Sequence, residues 1–343
     1  MKITSRRIFS AFALYLVAAF LVAIPGVSQA EKLTLAVPGV PPIYANVVAY
    51  VAQDAGFFKK HGVEVEVKPI NSGAAAAKGV ASGSFDMAFS PSQFVVRMVS
   101  NAGLPIRAIW GFNNPDWLIG SMDPAKASCE GIKGDSVGVD SKRGARWIQL
   151  NTYLARKCKL KIDRDVKTVP MSSNVATAMA AGQLTFGVLH IDDVMAIEKN
   201  SGKKVHVVAK IDEVAPGLHY LMTITREDTL AKKRDAMVRA VAALSEAAQF
   251  MADPANADKV AKSAGVTKHN QEIAKAALKG FLAIKFWPTD NNGLKQERIE
   301  KAVANQVRVG KITKGRGGIK PEKTPVTYEK MVDLSVYEDA KKR

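Results

Sequence analysis

Beyond Ile24, this 343-residue chain has no apolar run long enough to cross a bilayer, which takes ~20 such residues. The remainder is expected to be soluble. Cysteine is nearly missing, with Cys129 and Cys158 the only two. Two cysteines with no nearby histidine do not make a zinc site. The five histidines, at 61, 190, 206, 219 and 269, share no ligand spacing. Also absent are the Gly-x-Ser-x-Gly nucleophile elbow, His-Glu-x-x-His and Gly-x-Gly-x-x-Gly. Gly310 to Arg316 only imitates a phosphate-binding loop, because Lys-Ser/Thr does not follow Gly315. These absences predict no metal, no cofactor and no catalysis. Acidic residues are fewer than basic ones, 32 against 49. Nucleic acid is nevertheless not an expected partner, since the basic residues are dispersed and no binding motif accompanies them.

What is present begins with a leader over residues 1–30. Lys2, Arg6 and Arg7 precede an apolar stretch from Ala11 to Ile24, and Ser28-Gln29-Ala30 is a small-x-small cleavage site. Ser5-Arg6-Arg7-Ile8-Phe9 also partly matches a twin-arginine signal; an ordinary secretory leader is the plainer reading. The leader carries three of the basic residues and none of the acidic ones, so the rest stays strongly positive. That charge suits attraction of an anionic solute or an acidic partner surface, or serves solubility alone. Export to the periplasm would expose the cysteines to oxidation and allow a Cys129–Cys158 disulfide, at the end of its lobe away from any cleft.

Two stretches then follow one plan. From Leu33 to Pro91 the pattern runs strand, Pro/Gly turn, helix ending GFFKKHG, strand VEVEVKPI, helix AAAAKGVASG and strand FDMAFSP. From Ser136 to His190 it repeats, with SVGVD, turn SKRG, helix ARWIQLNTYLARK, KTVPM, NVATAMAAG and TFGVLH. The first helix is expected from about Tyr44 to Lys60 with Gly62 as its left-handed cap, and Asn71-Ser72-Gly73 is expected to cap the next. The loop Asn113-Asn114-Pro115-Asp116 reads as one crossing between lobes, and Ala215-Pro216-Gly217 as the return. The predicted fold is α/β: two Rossmann-like lobes with mixed, mostly parallel sheets, joined by two hinge crossings. Lobe 1 takes residues 31–115, lobe 2 takes 116–221, and 222–343 returns as helix-rich lobe 1 with a C-terminal tail. Helices are expected at 235–251, 255–264, 271–282 and 295–309, closing over the first lobe. The KITKGRGG stretch and the last residues are expected to form a solvated strap or frayed end. An exported two-lobed protein with a cleft and no catalytic motif suggests solute capture.

Particular residues carry a resemblance. Gly56-Phe57-Phe58-Lys59-Lys60-His61-Gly62-Val63, the segment Ala81-Ser82-Gly83-Ser84-Phe85-Asp86-Met87-Ala88, and Gly134-Asp135-Ser136-Val137-Gly138-Val139 are similar to blocks of the substrate-binding proteins of ABC importers of the nitrate/sulfonate/taurine type. One departure is Gly182-Gln183-Leu184-Thr185-Phe186, where that family often has an aspartate after the glycine. The resemblance implies the type II periplasmic-binding fold, a monomer, and delivery of a solute to a membrane permease and its ATPase. The alternative is an enzyme on the same fold, acting on a pyrimidine precursor or small organic acid. The pyrimidine type carries a cysteine-rich iron-linked motif that this sequence lacks. A sensor subunit is a third reading.

Resemblance and α/β geometry place the ligand at loops after strands, where helix starts offer free N–H groups to carboxylate, sulfonate or phosphate, and the expected solute is a small anion such as a sulfonate, nitrate or an organic or aromatic carboxylate. Pro41 and Tyr44 follow the opening strand; Tyr44 would stack on a ligand or pack as a helix-start residue. Ser90 and Ser92 flank Pro91 and are expected to cap a helix aimed into the cleft. In Ser141-Lys142-Arg143-Gly144-Ala145-Arg146, Gly144 admits a close backbone, and Arg143 or Arg146 would grip an anion or stand in solvent. His190 ends a strand at the cleft as a donor or a structural residue, with Asp192 as the simplest cap. Trp110, Phe112 and Trp117 flank the first crossing and either sandwich a planar ligand or pack the lobes together.

Overall fold

The computed structural model describes residues 31–216, 220–312 and 314–343. The leader expected over residues 1–30 lies outside them, as does His219.

Ten strands form two five-stranded sheets of identical plan. The first sheet has the order β2 (Glu64–Ile70), β1 (Lys32–Pro38), β3 (Met87–Pro91), β10 (Leu221–Arg226), β4 (Ile106–Gly111). The second has β7 (Lys167–Pro170), β6 (Ser136–Val139), β8 (Phe186–Leu189), β5 (Leu118–Ser121), β9 (His206–Lys210). In each, the first three strands are parallel and the fourth antiparallel. The antiparallel members β10 and β5 are the strands that follow the two crossings. This is the predicted α/β architecture. Leu33, Leu35, Ala36 and Val37 are buried on both sides of the sheet, as continuous apolar parallel strands are. The edge strands β2 and β7, one in each sheet, carry a proline near their carboxyl ends, Pro69 and Pro170, as edge strands tolerate.

The helices depart from expectation in two places. The helix expected from Tyr44 to Lys60 is divided into a short turn at Tyr44–Asn46 and helices Val47–Asp54 and Phe57–Lys60. Gly56, at φ 78°, makes the break without the clash that a Cβ brings in the left-handed region. The C-terminal helices Arg234–Ala252 and Gln296–Ile312 cover the first lobe, packing on Val47–Asp54 and on Ser92–Ala102 respectively. Gln271–Ala283 was expected to do the same, yet it also packs against Ile191–Ser201 of the second lobe. Lys199 and Glu272 form an ion pair of 2.8 Å across that contact.

The tail is not frayed. Asn101 clamps the segment after Gly315 by donating to the Gly318 carbonyl at 3.1 Å and accepting from the Lys320 N–H at 2.9 Å. The helix Ser335–Ala340 packs on Arg234–Ala252. Among the described residues, no helix is long and apolar enough to cross a membrane.

Cys129 and Cys158 are joined, with their Cα atoms 5.2 Å apart. The bridge ties the short helix Cys129–Ile132 to the segment after the helix Ala145–Tyr153, on the side of the second lobe opposite the carboxyl ends of its strands. Closing a loop of 29 residues restricts the unfolded chain by about 3–4 kcal/mol on the chain-entropy account. Reduction, or a Cys129→Ala/Cys158→Ala double substitution, is expected to lower stability by that amount in denaturant unfolding; equal midpoints with and without reductant would refute it.

Candidate functional site

The carboxyl ends of both sheets face one cleft. Its inner part is lined by Pro38 and Gly39 after β1, Asn71 to Gly73 after β2 and Pro91 of β3. Opposite stand Asp140 after β6, Ser172 and Ser173 after β7 and His190 after β8. Trp117 and Tyr220, from the two crossings, close the back. The enclosed space measures about 40 Å³, room for a few waters at ~10–15 Å³ each. Ile43, Arg146, Ser173 and His190 also border an outer chamber of about 270 Å³, lined further by Pro41, Asp192 and His269.

The floor is a chain of buried ionisable groups. Asp140 accepts from the N–H groups of Ala145 at 2.9 Å and Arg146 at 3.1 Å, so a carboxylate already occupies this helix start. Burial raises the Asp140 pKa, while Arg146 and these N–H bonds pull it back. Arg146 is 2% exposed and donates to Asp193 at 2.8 Å and to the Val188 carbonyl at 2.6 Å. Asp193 also accepts from the His190 N–H at 2.9 Å. The His190 ring meets both Asp116 oxygens through Nδ1, at 2.9 and 2.8 Å. A carboxylate can only accept, so Nδ1 carries the proton and Nε2 is turned to the cavity. Trp117 lies over the imidazole, with centroids 3.9 Å apart.

Gly144 makes the Asp140 cap feasible. A Cβ there would meet the Asp140 carboxylate at 2.4 Å and the Ser141 hydroxyl at 2.3 Å. Across the cleft, the helix Gly73–Ala81 is capped only by Ser72, whose Oγ accepts from Ala75 at 3.2 Å. Its first two N–H groups, Gly73 and Ala74, have no acceptor among the described residues.

The expected residues divide accordingly. Gly144 lies against Asp140, behind Pro41, Arg146 and His190, which come together at the cleft. Tyr44 does not; its ring is fully buried against Phe281 and its hydroxyl donates to the Ala274 carbonyl at 2.5 Å. Ser90 and Ser92 are buried too. Ser90 donates to the Gly73 carbonyl, and the Ser92 N–H is taken by the Tyr220 carbonyl, so neither cap is aimed into the cleft. Trp110 is buried among Phe89 and Phe112 in the first lobe. Ser141 closes the turn through its carbonyl, which accepts from Gly144. Arg143 is exposed and faces away, because its left-handed backbone, φ 62°, turns it off the helix axis. Asp192 is no cap: His190 holds that position, and Asp192 reaches across the lobes to His269 Nε2 at 2.9 Å.

Asp116, Asp140, Asp193, Tyr220 and the Ser172–Ser173 pair were not foreseen. Their one sequence signal was place, each lying within a few residues of a strand end or crossing. Among the described residues, no group of three or more His, Cys, Asp or Glu is disposed to hold a metal ion.

The site yields two predictions. Gly144→Ala is expected to displace Asp140 and cost about 1–2 kcal/mol, as loss of a helix cap does; an unchanged unfolding midpoint would contradict this. For His190 and His269, burial opposes the charge, but Asp116 and Asp192 outweigh it, and both pKa values rise above 6.5. Their contribution is therefore complete below pH ~6.5 and is lost as the pH climbs through the raised values. The thermal midpoint is expected to fall across that window, and His269→Asn to flatten the fall. The same slope in both proteins would exclude the His269–Asp192 bond as its source.

Comparison with known proteins agrees with this architecture. The family model for NMT1/THI5-like proteins matches residues 46–257, more than half of the chain. A protein of Brucella abortus described as a binding protein is 25% identical over 271 residues, spanning 78% of this chain and 81% of its own. The Bacillus subtilis binding protein YtlA is 23% identical over 207 residues, 59% of this chain and 61% of its own. Among solved structures, the periplasmic nitrate-binding protein NrtA of Synechocystis superposes with a TM-score of 0.71 at 12% identity, over 92% of this chain and 89% of that one. The aliphatic sulphonate-binding protein SsuA of Escherichia coli gives 0.63 at 13%, over 86% and 95%. Identities this low carry the fold alone.

Proposed function

The chain belongs to the NMT1/THI5-like family, and from that premise we propose that it is the extracytoplasmic solute-binding subunit of an ABC importer. In the periplasm it binds one small polar solute between its lobes, as a monomer, and hands it to a permease and ATPase at the inner membrane. It acts as a carrier and not as an enzyme. The observation that carries this reading is the cavity itself, which is bounded by the carboxyl ends of both sheets and by both crossings. Ligands of open α/β sheets lie at such strand ends, and two crossings permit closure about a solute. The relatives described as binding proteins, and the fold shared with NrtA and SsuA, support it.

The charge inside the cleft refines the solute. Arg146 and one helix start, the groups best suited to an anion, are already engaged by Asp193 and Asp140. The acceptor side of a solute would meet the Gly73 N–H and, when the His190 ring is protonated, its Nε2–H. Its donor side would meet Asp140. We therefore favour a solute carrying both, such as an amino-bearing acid or an amino-substituted ring, over a simple anion.

A thermal-shift screen of stripped protein against nitrate, sulfonates, aromatic carboxylates, pyrimidines and amino acids tests this. One class is expected to raise the midpoint progressively with concentration. Ser173 Oγ is buried beside the cavity with no partner among the described residues. Ser173→Ala is therefore expected to weaken the successful solute about 2- to 10-fold, as loss of one neutral hydrogen bond does. A midpoint unmoved by every class would count against a solute carrier.

A further inference from the structure

Outside the cleft, at the junction of the lobes, lies a second basin of about 380 Å³. Three of its walls belong to the first lobe: the helix Gly73–Ala81 with Lys78, the helix Ser92–Ala102 with Arg97, and the strap at Gly315, Gly317 and Gly318. The fourth is Arg143, from the turn before Ala145–Tyr153 in the second lobe. No aspartate or glutamate lines it.

Arg97 is held in place, and none of the three cations has a counter-charge among the described residues. Arg97 stacks on Phe94, 4.8 Å from ring centroid to guanidinium carbon, and its Nε donates to the Gln93 carbonyl at 3.1 Å. Its two Nη groups have no acceptor among the described residues. Lys78, Arg97 and Arg143 have no carboxylate within ion-pair distance among the described residues. Burial and the proximity of Arg143 push the Arg97 pKa down to about 10. Arg143 is moreover held in a left-handed conformation that non-glycine residues seldom adopt. Its turn is fixed by the Gly144–Ser141 bond and, one residue further back, by Asp140 on the helix start.

Like charges converging from two lobes on a concave surface without acids repel each other unless an anion stands between them. Guanidinium forks match tetrahedral oxyanions through paired N–H donors. We propose that Arg97, Arg143 and Lys78 form a second binding site, separate from the solute cleft, for a small oxyanion of the phosphate or sulfate class. Because Arg143 moves with one lobe and Arg97 with the other, the site is complete only when the lobes are together.

Inorganic phosphate is the probe. The purified protein is titrated with sodium phosphate against sodium chloride at matched ionic strength, with thermal midpoint and calorimetry as readouts. Phosphate is expected to raise the midpoint saturably beyond chloride. Arg97→Gln and Arg143→Asn are each expected to weaken it by about tenfold or more, as for one charge-assisted hydrogen bond. Asparagine is chosen at 143 because it tolerates the left-handed backbone, so the loss reads charge and not misfolding. Equal effects of phosphate and chloride would overturn the site. So would a phosphate response that ignores both arginine substitutions but is lost in Ser173→Ala, since the anion would then be in the cleft.

Discussion

Arg146, Asp193, His190 and Asp116 are almost wholly shielded from water, Asp140 is half-buried, and the five touch one another in sequence across the cleft floor. An ionised group so buried is tolerable only when its neighbours neutralise it and fill its hydrogen-bonding positions. Here each member does that for the next. Arg146 links β6, through the cap, to β8, through the Val188 carbonyl. His190 links β8 to the first crossing through Asp116. The floor is thus one electrostatic unit spanning the second lobe and the hinge. Removing Arg146 or His190 leaves buried carboxylate without its partner, so the geometry seen by a solute is set before it arrives.

That preorganisation explains why the polarity of the cleft cannot be inferred from overall composition. The chain is strongly basic, yet carboxylates line the cleft wall, and Lys78, Arg97 and Arg143 line a separate basin without an acid. Charge that steers an approaching molecule and charge that grips it are distributed differently over this protein.

Much of the fold was legible because its signals are local. Strand runs, glycines after helices and prolines in turns recur at the same spacing in both halves, and the two sheets reproduce that repetition strand for strand. The site was less legible because its residues are chosen by geometry. Arg143 and Arg146 stand three apart in one turn-and-helix segment and look equivalent as letters. A left-handed residue sends one to the surface, and the helix sends the other into the floor. Asp140 reads as the end of a strand; only the space at Gly144 lets it fold back over the helix start. Tyr44 and Trp110 were placed by proximity to strand ends, and the aromatic core of the first lobe took both. Gly56 shows the same limit within one element, since a glycine inside an apolar run is compatible with either continuing a helix or breaking it.

The position of β10 has a consequence for the order in which the molecule can be assembled. In the first sheet β10 lies between β3 and β4 and hydrogen-bonds to both, yet it follows every strand of the second sheet in the chain. As residues emerge during synthesis, β3 and β4 are made early and have no partner in common until residue 221. The second sheet, by contrast, is a single continuous segment from 118 to 210, with the Trp117 carbonyl and the Ile211 N–H already bonded at its ends at 2.9 Å. The lobe begun first is therefore the lobe finished last, and the inserted lobe can mature as an autonomous unit while its host waits with an open gap in its sheet.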